Sequence, residues 1–279
     1  MKIALVQMNP VIGDFDANAQ YIIEASHKAV AMLDANIIVF PELVITGYPP
    51  EDLLLREDFI NKSNAACVQI AQSAPPNTCL IFGIPKGNDD NNLYNMAMVI
   101  VDQQIHCFYA KQALPNYSVF DERRYFNAGK YPLSFIYDDK KIALAICEDL
   151  WDTNTAESII QTQSDVIISL NASPFEQKKP QQRRQMLKQR ALSANCPIIY
   201  VNLVGGQDEL VFDGGSCVIC PEDKQDLLPL SFTEGIFACE LIDPPAPNTE
   251  QTPHSIAPLL WTDCNQEPLN LLYKALCIG

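Results

Sequence analysis

Apolar residues along the chain fall into short strand-length blocks separated by stretches of helical period. Ile3 to Met8 reads as a buried strand, and Asn9-Pro10 with Gly13-Asp14 turns the chain. From about Asp16 to Leu33, Ile22, Ile23, Val30 and Leu33 recur at helical spacing. Ile37-Ile38-Val39-Phe40 is a second buried strand, closed by Pro41-Glu42. Strand, helix, strand is a βαβ unit, which favours parallel pairing. A loop with Gly47 and Pro49-Pro50 leads into a helix from Asp52, broken once on its way to Ala74. Cys79–Pro85, Leu93–Val101 and Gln104–Tyr109 read as strands, the last two antiparallel across Asp102-Gln103. Pro115–Pro132 is a loop dense in aromatic and charged residues. Phe135–Tyr137 and Ile142–Ile146 form a hairpin. Helices over Asp152–Gln163 and Gln181–Asn195 then alternate with strands at Asp165–Leu170 and Pro197–Asn202. Gly205-Gly206-Gln207 reads as a turn, Leu210–Cys220 as two short strands and Ile236–Ile242 as a late strand.

From Asp243 the pattern changes. Five prolines fall between 244 and 258, which reads as a linker or strap, and Pro268–Cys277 starts a helix. These patterns give a mixed α/β domain over residues 1–243, followed by a Pro-rich strap and a helix over 244–279.

Composition narrows the classes. With 279 residues, 48% of them hydrophobic and 19% charged, the chain has material for a large core, and disordered and fibrous classes are out. A net charge of −15 repels nucleic-acid phosphates and anionic lipid, so neither is an expected partner. Ten cysteines without a compact framework fit a reducing, cytoplasmic location. The first apolar run is too short for a signal segment, and no run approaches a membrane span. His27, His106 and His254 lack ligand spacing, so no metal is expected. Cys217 and Cys220 lie three apart in a strand-like run and should face opposite ways, which argues against a redox pair. The basic run Arg183, Arg184, Lys188 and Arg190 is either a solvated helix face or a contact for an acidic neighbour.

Three strands end on chemically useful residues: Ile37–Phe40 at Glu42, Gln104–Tyr109 at Lys111, and Ile142–Ile146 at Cys147. Open α/β sheets place reactive groups at such ends. If the three strands share a sheet and a direction, a carboxylate, an ammonium and a thiol meet, a complete kit for acyl transfer. Glu42 would take the thiol proton, return it to a leaving amine and then activate water. Lys111 would stabilise thiolate and oxyanion, with the backbone N–H of Glu148 as second oxyanion donor. Taken singly, Glu42 also fits an exposed loop carboxylate, Lys111 a surface lysine and Cys147 a buried small hydrophobe.

Larger blocks go beyond spacing. Phe40-Pro41-Glu42-Leu43, Thr46–Leu54, Lys111–Tyr117, Val119–Phe126, Ile146–Trp151, Asn171–Phe175 and Val201–Ser216 resemble the carbon–nitrogen hydrolase (nitrilase) superfamily. Within it they are most similar to the glutaminase domains of glutamine-dependent NAD synthetases. The resemblance covers essentially the whole chain. It implies an α/β fold of nitrilase type, a four-layer α-β-β-α sandwich of two stacked mixed sheets with outer helices. It implies a Glu-Lys-Cys triad at Glu42, Lys111 and Cys147, and a second glutamate at Glu122. It also implies a glutamine pocket shaped by Tyr117 and Phe120, with Ser173 at the substrate's α-amino and carboxylate ends. The family follows this serine block with Gly-Lys or Gly-Arg. Here Glu176-Gln177-Lys178-Lys179 departs from that, so Lys179 is the candidate cation for the substrate carboxylate, or else a solvated lysine at a helix start.

The implied activity is release of ammonia from glutamine through a Cys thioester, for amidation of deamido-NAD. The rivals are an amidase acting on another small amide and a catalytically silent oligomerisation domain. The implied partners are glutamine, a synthetase domain and further copies of the chain, as a homo-oligomer. No cofactor is expected for the glutaminase part; ATP, Mg and deamido-NAD belong to the synthetase domain. The phosphate loop of that domain, Ser-Gly-Gly-x-Asp-Ser, does not occur in this sequence, so an excised domain ending in a junction helix is expected.

Overall fold

A computed structural model of the chain describes residues 1–88, 90, 92–222, 226–227, 231–242, 255–260 and 274–278. The elements in chain order are β1 (Lys2–Gln7), α1 (Phe15–Leu33), β2 (Ile37–Val39), α2 (Glu57–Ser73), β3 (Cys79–Gly87), β4 (Leu93–Val101) and β5 (Gln104–Ala110). They continue with β6 (Ser134–Tyr137), β7 (Lys140–Ile146), α3 (Thr153–Ile160), β8 (Val166–Asn171), α4 (Lys179–Ala194) and β9 (Ile198–Asn202). β10 (Val204–Gln207), β11 (Leu210–Asp213), β12 (Cys217–Ile219), β13 (Gly235–Ile242) and β14 (Ser255–Leu260) follow, and short 3-10 turns occupy Glu51–Leu55, Glu122–Arg124 and Cys147–Leu150.

Two mixed sheets stack. The first has the order β14-β13-β1-β2-β3-β4-β5, with β1, β2 and β3 parallel and the rest antiparallel. The second has the order β12-β9-β8-β7-β6, with β7, β8 and β9 parallel. Alternation within each strand builds the layers, since successive side chains face opposite ways. Ile3, Leu5, Ile37, Val39, Ile81 and Val99 meet Ile142, Leu144, Ile146, Ile168, Ile199 and Val201 between the sheets. Their neighbours Ala4, Val6, Ile38, Phe40, Leu80 and Phe82 pack under the helices on the first sheet's outer face. Ala143, Ala145, Ile167 and Ile198 do the same on the second. A strand buried on both faces has no polar side to show, which is why these strands read as unbroken apolar runs. The expected four-layer α-β-β-α sandwich is present.

The helices carry the matching signals. Asp14 caps α1, its side chain accepting from the Ala17 N–H at 3.1 Å. Phe15, Asn18, Ala19, Ile22, Ala25, Ser26 and Ala29 form its buried stripe. Asp152 caps α3 by accepting from the Thr155 N–H at 2.8 Å.

Two readings change. Gly205-Gly206-Gln207 is not a turn: these residues belong to β10, which pairs with β11 so that Gln207 faces Leu210. That register leaves Asp208-Glu209 as a two-residue turn, with Asp208 in the left-handed region at φ 49°. The expected strap over 244–279 lies largely outside the described residues. Of its described part, Ser255–Leu260 is an edge strand on β13, and 274–278 is helical. No helix among the described residues is long and apolar enough to cross a membrane.

One glycine positions the turn after β2. A Cβ on Gly83 would lie 2.2 Å from the Leu43 nitrogen and 2.6 Å from the Glu42 Cα, both backbone atoms that cannot swing aside. Gly83→Ala should cost about 1–3 kcal/mol, the usual penalty of overpacking, and displace Glu42. Urea unfolding checks this; a midpoint equal to the parent's would show that the turn has room to spare.

Candidate active site

The three strand ends do converge, but from two sheets rather than one. β2 and β5 belong to the first sheet and run the same way, whereas β7 belongs to the second. The cluster therefore straddles the end of the sandwich. After β2, the Phe40 N–H donates to the Ile81 carbonyl at 2.8 Å and the Gly83 N–H to the Pro41 carbonyl at 3.0 Å. This leaves Glu42 1% exposed. After β5, the Lys111 N–H donates to the Asn95 carbonyl at 2.9 Å, and the Lys111 carbonyl accepts from the Gly129 N–H at 2.7 Å. Lys111 is likewise 1% exposed, so neither residue is the surface group it resembles in isolation. Cys147 is the first residue past β7 and sits at φ 43°. A left-handed backbone at a non-glycine residue costs roughly 1–3 kcal/mol and persists only where its surroundings hold it.

Lys111 bridges two carboxylates. Its Nζ donates to Glu42 Oε1 at 2.7 Å and to Glu122 Oε1 at 2.8 Å. Asn95 Nδ2 also donates to Glu42 Oε1 at 2.7 Å, and the Ala172 N–H donates to Glu42 Oε2 at 2.9 Å. Tyr48 OH donates to Glu122 Oε1 at 3.1 Å. A carboxylate has about four lone-pair sites and an ammonium three N–H groups. These contacts leave Glu42 with one acceptor position open and Lys111 with one donor position open. The first can receive a proton; the second can meet a developing negative charge.

Burial pushes the Cys147 thiol well above its ordinary pKa; Glu42 adds to this, Lys111 opposes it, and Glu122 and Glu148 add further. The resting sulfur is therefore a thiol that needs a base. Burial disfavours the Lys111 charge, but Glu122 and Glu42 outweigh it and hold the ammonium pKa well above its usual range. Burial raises Glu122 to about 7, with Lys111 opposing and Glu42 assisting.

The other expected residues fall around this cluster. Tyr117 OH lies 3.0 Å from both carboxylate oxygens of Glu148, and the Tyr117 and Phe120 rings meet edge-on, 5.8 Å apart. Ser173 is buried directly after Ala172, its N–H donating to Asn202 Oδ1 at 2.8 Å. Lys179 opens α4 with Nζ 4.8 Å from the centre of the Trp151 ring, a half-buried position rather than a solvated one. Its charge reaches Glu148, whose pKa burial raises while Tyr117, Lys111 and Lys179 oppose. Glu122, the second glutamate that the resemblance implies, lies in the buried charge cluster against Lys111. A cavity of about 610 Å³ is lined by Tyr117, Glu148, Arg123 and Asp152, and one of about 200 Å³ by Tyr48, Phe120, Glu122 and Tyr125. Cys147 lines neither; Glu148 and Tyr117 link the larger cavity to the thiol.

Sequence reasoning missed three buried residues of the site: Tyr48, held only inside a block of resemblance, Asn95 and Asp149. Asn95 interrupts the apolar run of β4, and that interruption was its only signal. Asp149 was visible only as a second carboxylate after Cys147. It is fully buried, accepting from the Ile146 N–H at 2.8 Å, the Gln112 N–H at 3.0 Å, the Ala113 N–H at 2.8 Å and Tyr109 OH at 2.8 Å. The basic run on α4 bonds within the chain. Arg183 pairs with Asp213 at 3.0 Å, Arg184 with Asp226 at 3.3 Å, and Arg190 Nε donates to the Leu150 carbonyl at 3.0 Å. Cys217 and Cys220 lie in different cores, as their spacing requires. Among the described residues no group of three or more His, Cys, Asp or Glu side chains is arranged to hold a metal ion.

A buried carboxylate, ammonium and thiol at the end of a four-layer sandwich are the constituents of an acyl-transfer site, and fold and constellation together mark a carbon–nitrogen hydrolase. The chain belongs to the carbon–nitrogen hydrolase family, whose model matches residues 2–224. A glutamine-dependent NAD(+) synthetase from Acinetobacter baylyi is 39% identical over 86% of this chain and 44% of its own length. One from Xylella fastidiosa is 38% identical over 100% of this chain and 50% of its own length. The structure of the Acinetobacter baumannii glutamine-dependent NAD+ synthetase, in complex with adenosine diphosphate, superposes with a TM-score of 0.90 at 36% identity, covering 99% of this chain and 50% of that one. An amidase from Nesterenkonia shares the fold, with a TM-score of 0.75 at 22% identity over 85% of this chain and 89% of its own. The chain spans about half the length of the curated relatives it matches.

The electrostatics separate two roles of Glu42. Glu42→Gln removes the carboxylate expected to act as base, and with that role amide turnover should fall by about 10²–10⁴-fold. It also removes a charge that holds the thiol pKa up, so alkylation of Cys147 by iodoacetamide at neutral pH should be as fast or faster. Mass-spectrometric alkylation rates decide the point; alkylation that slowed in step with turnover would contradict this division.

Proposed function

We propose that this chain hydrolyses the side-chain amide of glutamine, and that the ammonia serves the amidation of deamido-NAD at a synthetase domain. The observation that carries the chemistry is the buried Lys111, bridging Glu42 and Glu122 beside Cys147. Glu42 takes the thiol proton as Sγ attacks the amide carbon. The third N–H of Lys111 and the backbone N–H of Glu148 meet the oxyanion. Glu42 returns the proton to the leaving amine and ammonia departs, leaving a thioester. The same carboxylate then activates water, and glutamate is released.

The choice of glutamine is supported by the names of the relatives and by the groups around the thiol. Tyr117 and Glu148 are suited to the substrate's ammonium end and Lys179 to its carboxylate, with Ser173 between Glu42's backbone donor and the Asn202 side chain. Asn171-Ala172-Ser173, which matches a glycosylation sequon, is buried and in use here.

Three measurements test this reading. Cys147→Ala should reduce ammonia release from glutamine to background; release at the parent rate would overturn the mechanism. A diazoketone analogue of glutamine should label Cys147 in the intact chain, and an absence of labelling would overturn the choice of substrate. Lys179→Ala should raise KM for glutamine about tenfold with kcat little changed, the loss of one charge-assisted contact.

A further inference from the structure

We propose that Asp149 is a positioning residue that sets the distance between the Cys147 thiol and the Lys111 ammonium. The argument begins with what the carboxylate holds. It is fully buried, and its four donors come from two places. The Ile146 N–H belongs to the residue just before the nucleophile, in the second sheet. Tyr109 OH and the N–H groups of Gln112 and Ala113 bracket Lys111, at the end of β5 in the first sheet. One side chain therefore clips the two strand ends whose residues must meet.

The bond of this carboxylate to the Ile146 N–H also caps the short turn over Cys147–Leu150, but its other three donors lie outside that turn. Its bonds are to two hydroxyl-length or amide donors on each oxygen, with no Lys or Arg among them. Burying a carboxylate is costly, but an apolar residue in its place would leave four buried donors without that acceptor. Four simultaneous donors across two sheets need an acceptor with two oxygens, and Asp supplies it at the shortest reach. The left-handed backbone of Cys147 makes the clip matter more, because a strained residue relaxes when its neighbours let go. Gln112 Nε2 donates to the Tyr109 oxygen at 3.1 Å, which fixes the hydroxyl so that its proton points at Asp149.

The proposal rests on Cys147 being the nucleophile and not on glutamine being the substrate. Its test therefore reads the thiol directly. The groups that face Cys147 are Glu42, Lys111, Glu122 and Glu148, together with Tyr48, Tyr117 and Tyr200. Lys111 is the only cation among them, so drawing it away from the sulfur raises the midpoint of thiol reactivity. Loss of the Asp149 charge by itself would lower that midpoint. The two effects have opposite signs, and this separates positioning from simple electrostatics.

The experiment measures the pH profile of iodoacetamide alkylation at Cys147, by peptide mass spectrometry, in the parent chain, Asp149→Asn and Tyr109→Phe. Tyr109→Phe removes one donor to Asp149 and no charge, and keeps the packing of the ring. The expected result is a midpoint about one pH unit higher in both variants. With it should come at least a tenfold loss of kcat and a KM within about twofold of the parent, while far-ultraviolet circular dichroism is unchanged. A midpoint that falls in Asp149→Asn and stays put in Tyr109→Phe would overturn the proposal, as would parent values in both. If Asp149→Asn does not fold, Tyr109→Phe decides alone by the same criteria. A parent chain in which Cys147 alkylates no faster than the other buried cysteines would instead overturn the assignment of the nucleophile.

Discussion

The ammonium of Lys111, buried between Glu42 and Glu122, is the interaction on which the rest of the site depends. Taking three charges out of water is expensive, and a buried ion pair by itself is weak evidence of stabilisation. Removing the lysine would leave two carboxylates facing each other without compensation, typically a loss of about 3–5 kcal/mol for one broken buried pair. The surroundings therefore commit heavily to it. Asn95, Tyr48 and the Ala172 N–H each fill an acceptor position that the lysine leaves open. What remains is one free acceptor position on Glu42 and one free donor position on Lys111, next to a thiol that burial keeps protonated. A cluster built only for stability would have no reason to stop one bond short at both ends.

The sandwich gives this cluster its rigidity. Each member sits within a residue or two of a strand end, and the strands are pinned on both faces by apolar side chains. The first sheet contributes the Glu42 carboxylate and the Lys111 ammonium, and the second contributes the Cys147 thiol. Their relative placement depends on how the two sheets stack, and polar ties such as Asp149 cross between them. The substrate end is built differently. Tyr117 is exposed and Phe120 and Lys179 are half-buried, on loops and at a helix start. Loops of this kind vary more easily than the strands that they connect.

Much of this was legible in the chain. Apolar runs of strand length gave β1, β2, β3 and β7 to β9, because strands buried on both faces cannot hide polar residues. Helical periodicity gave α1, whose capping aspartate the structure then showed. Glu42, Lys111 and Cys147 stood out because each follows such a run directly. Asn95 and Asp149 did not, since a polar residue in or after an apolar run signals only that it must find partners, not which ones. The turn expected at Gly205–Gln207 failed for a related reason: glycine permits a turn but equally permits β10 to pair with β11, and the register decides.

The sequence by itself determined the elements, their order, the residues able to do the chemistry and the family. Those are local properties, set by side-chain size, polarity and spacing along the backbone. Only the tertiary structure decided that β7 lies in a different sheet from β2 and β5, that Glu42 and Lys111 are buried rather than exposed, and that Glu122 joins them. Burial is a property of what packs on a residue from elsewhere in the chain. A proton acceptor, a trapped ammonium and a thiol of raised pKa exist here only because the fold brings together strand ends 69 residues apart (Glu42 and Lys111) and 36 residues apart (Lys111 and Cys147).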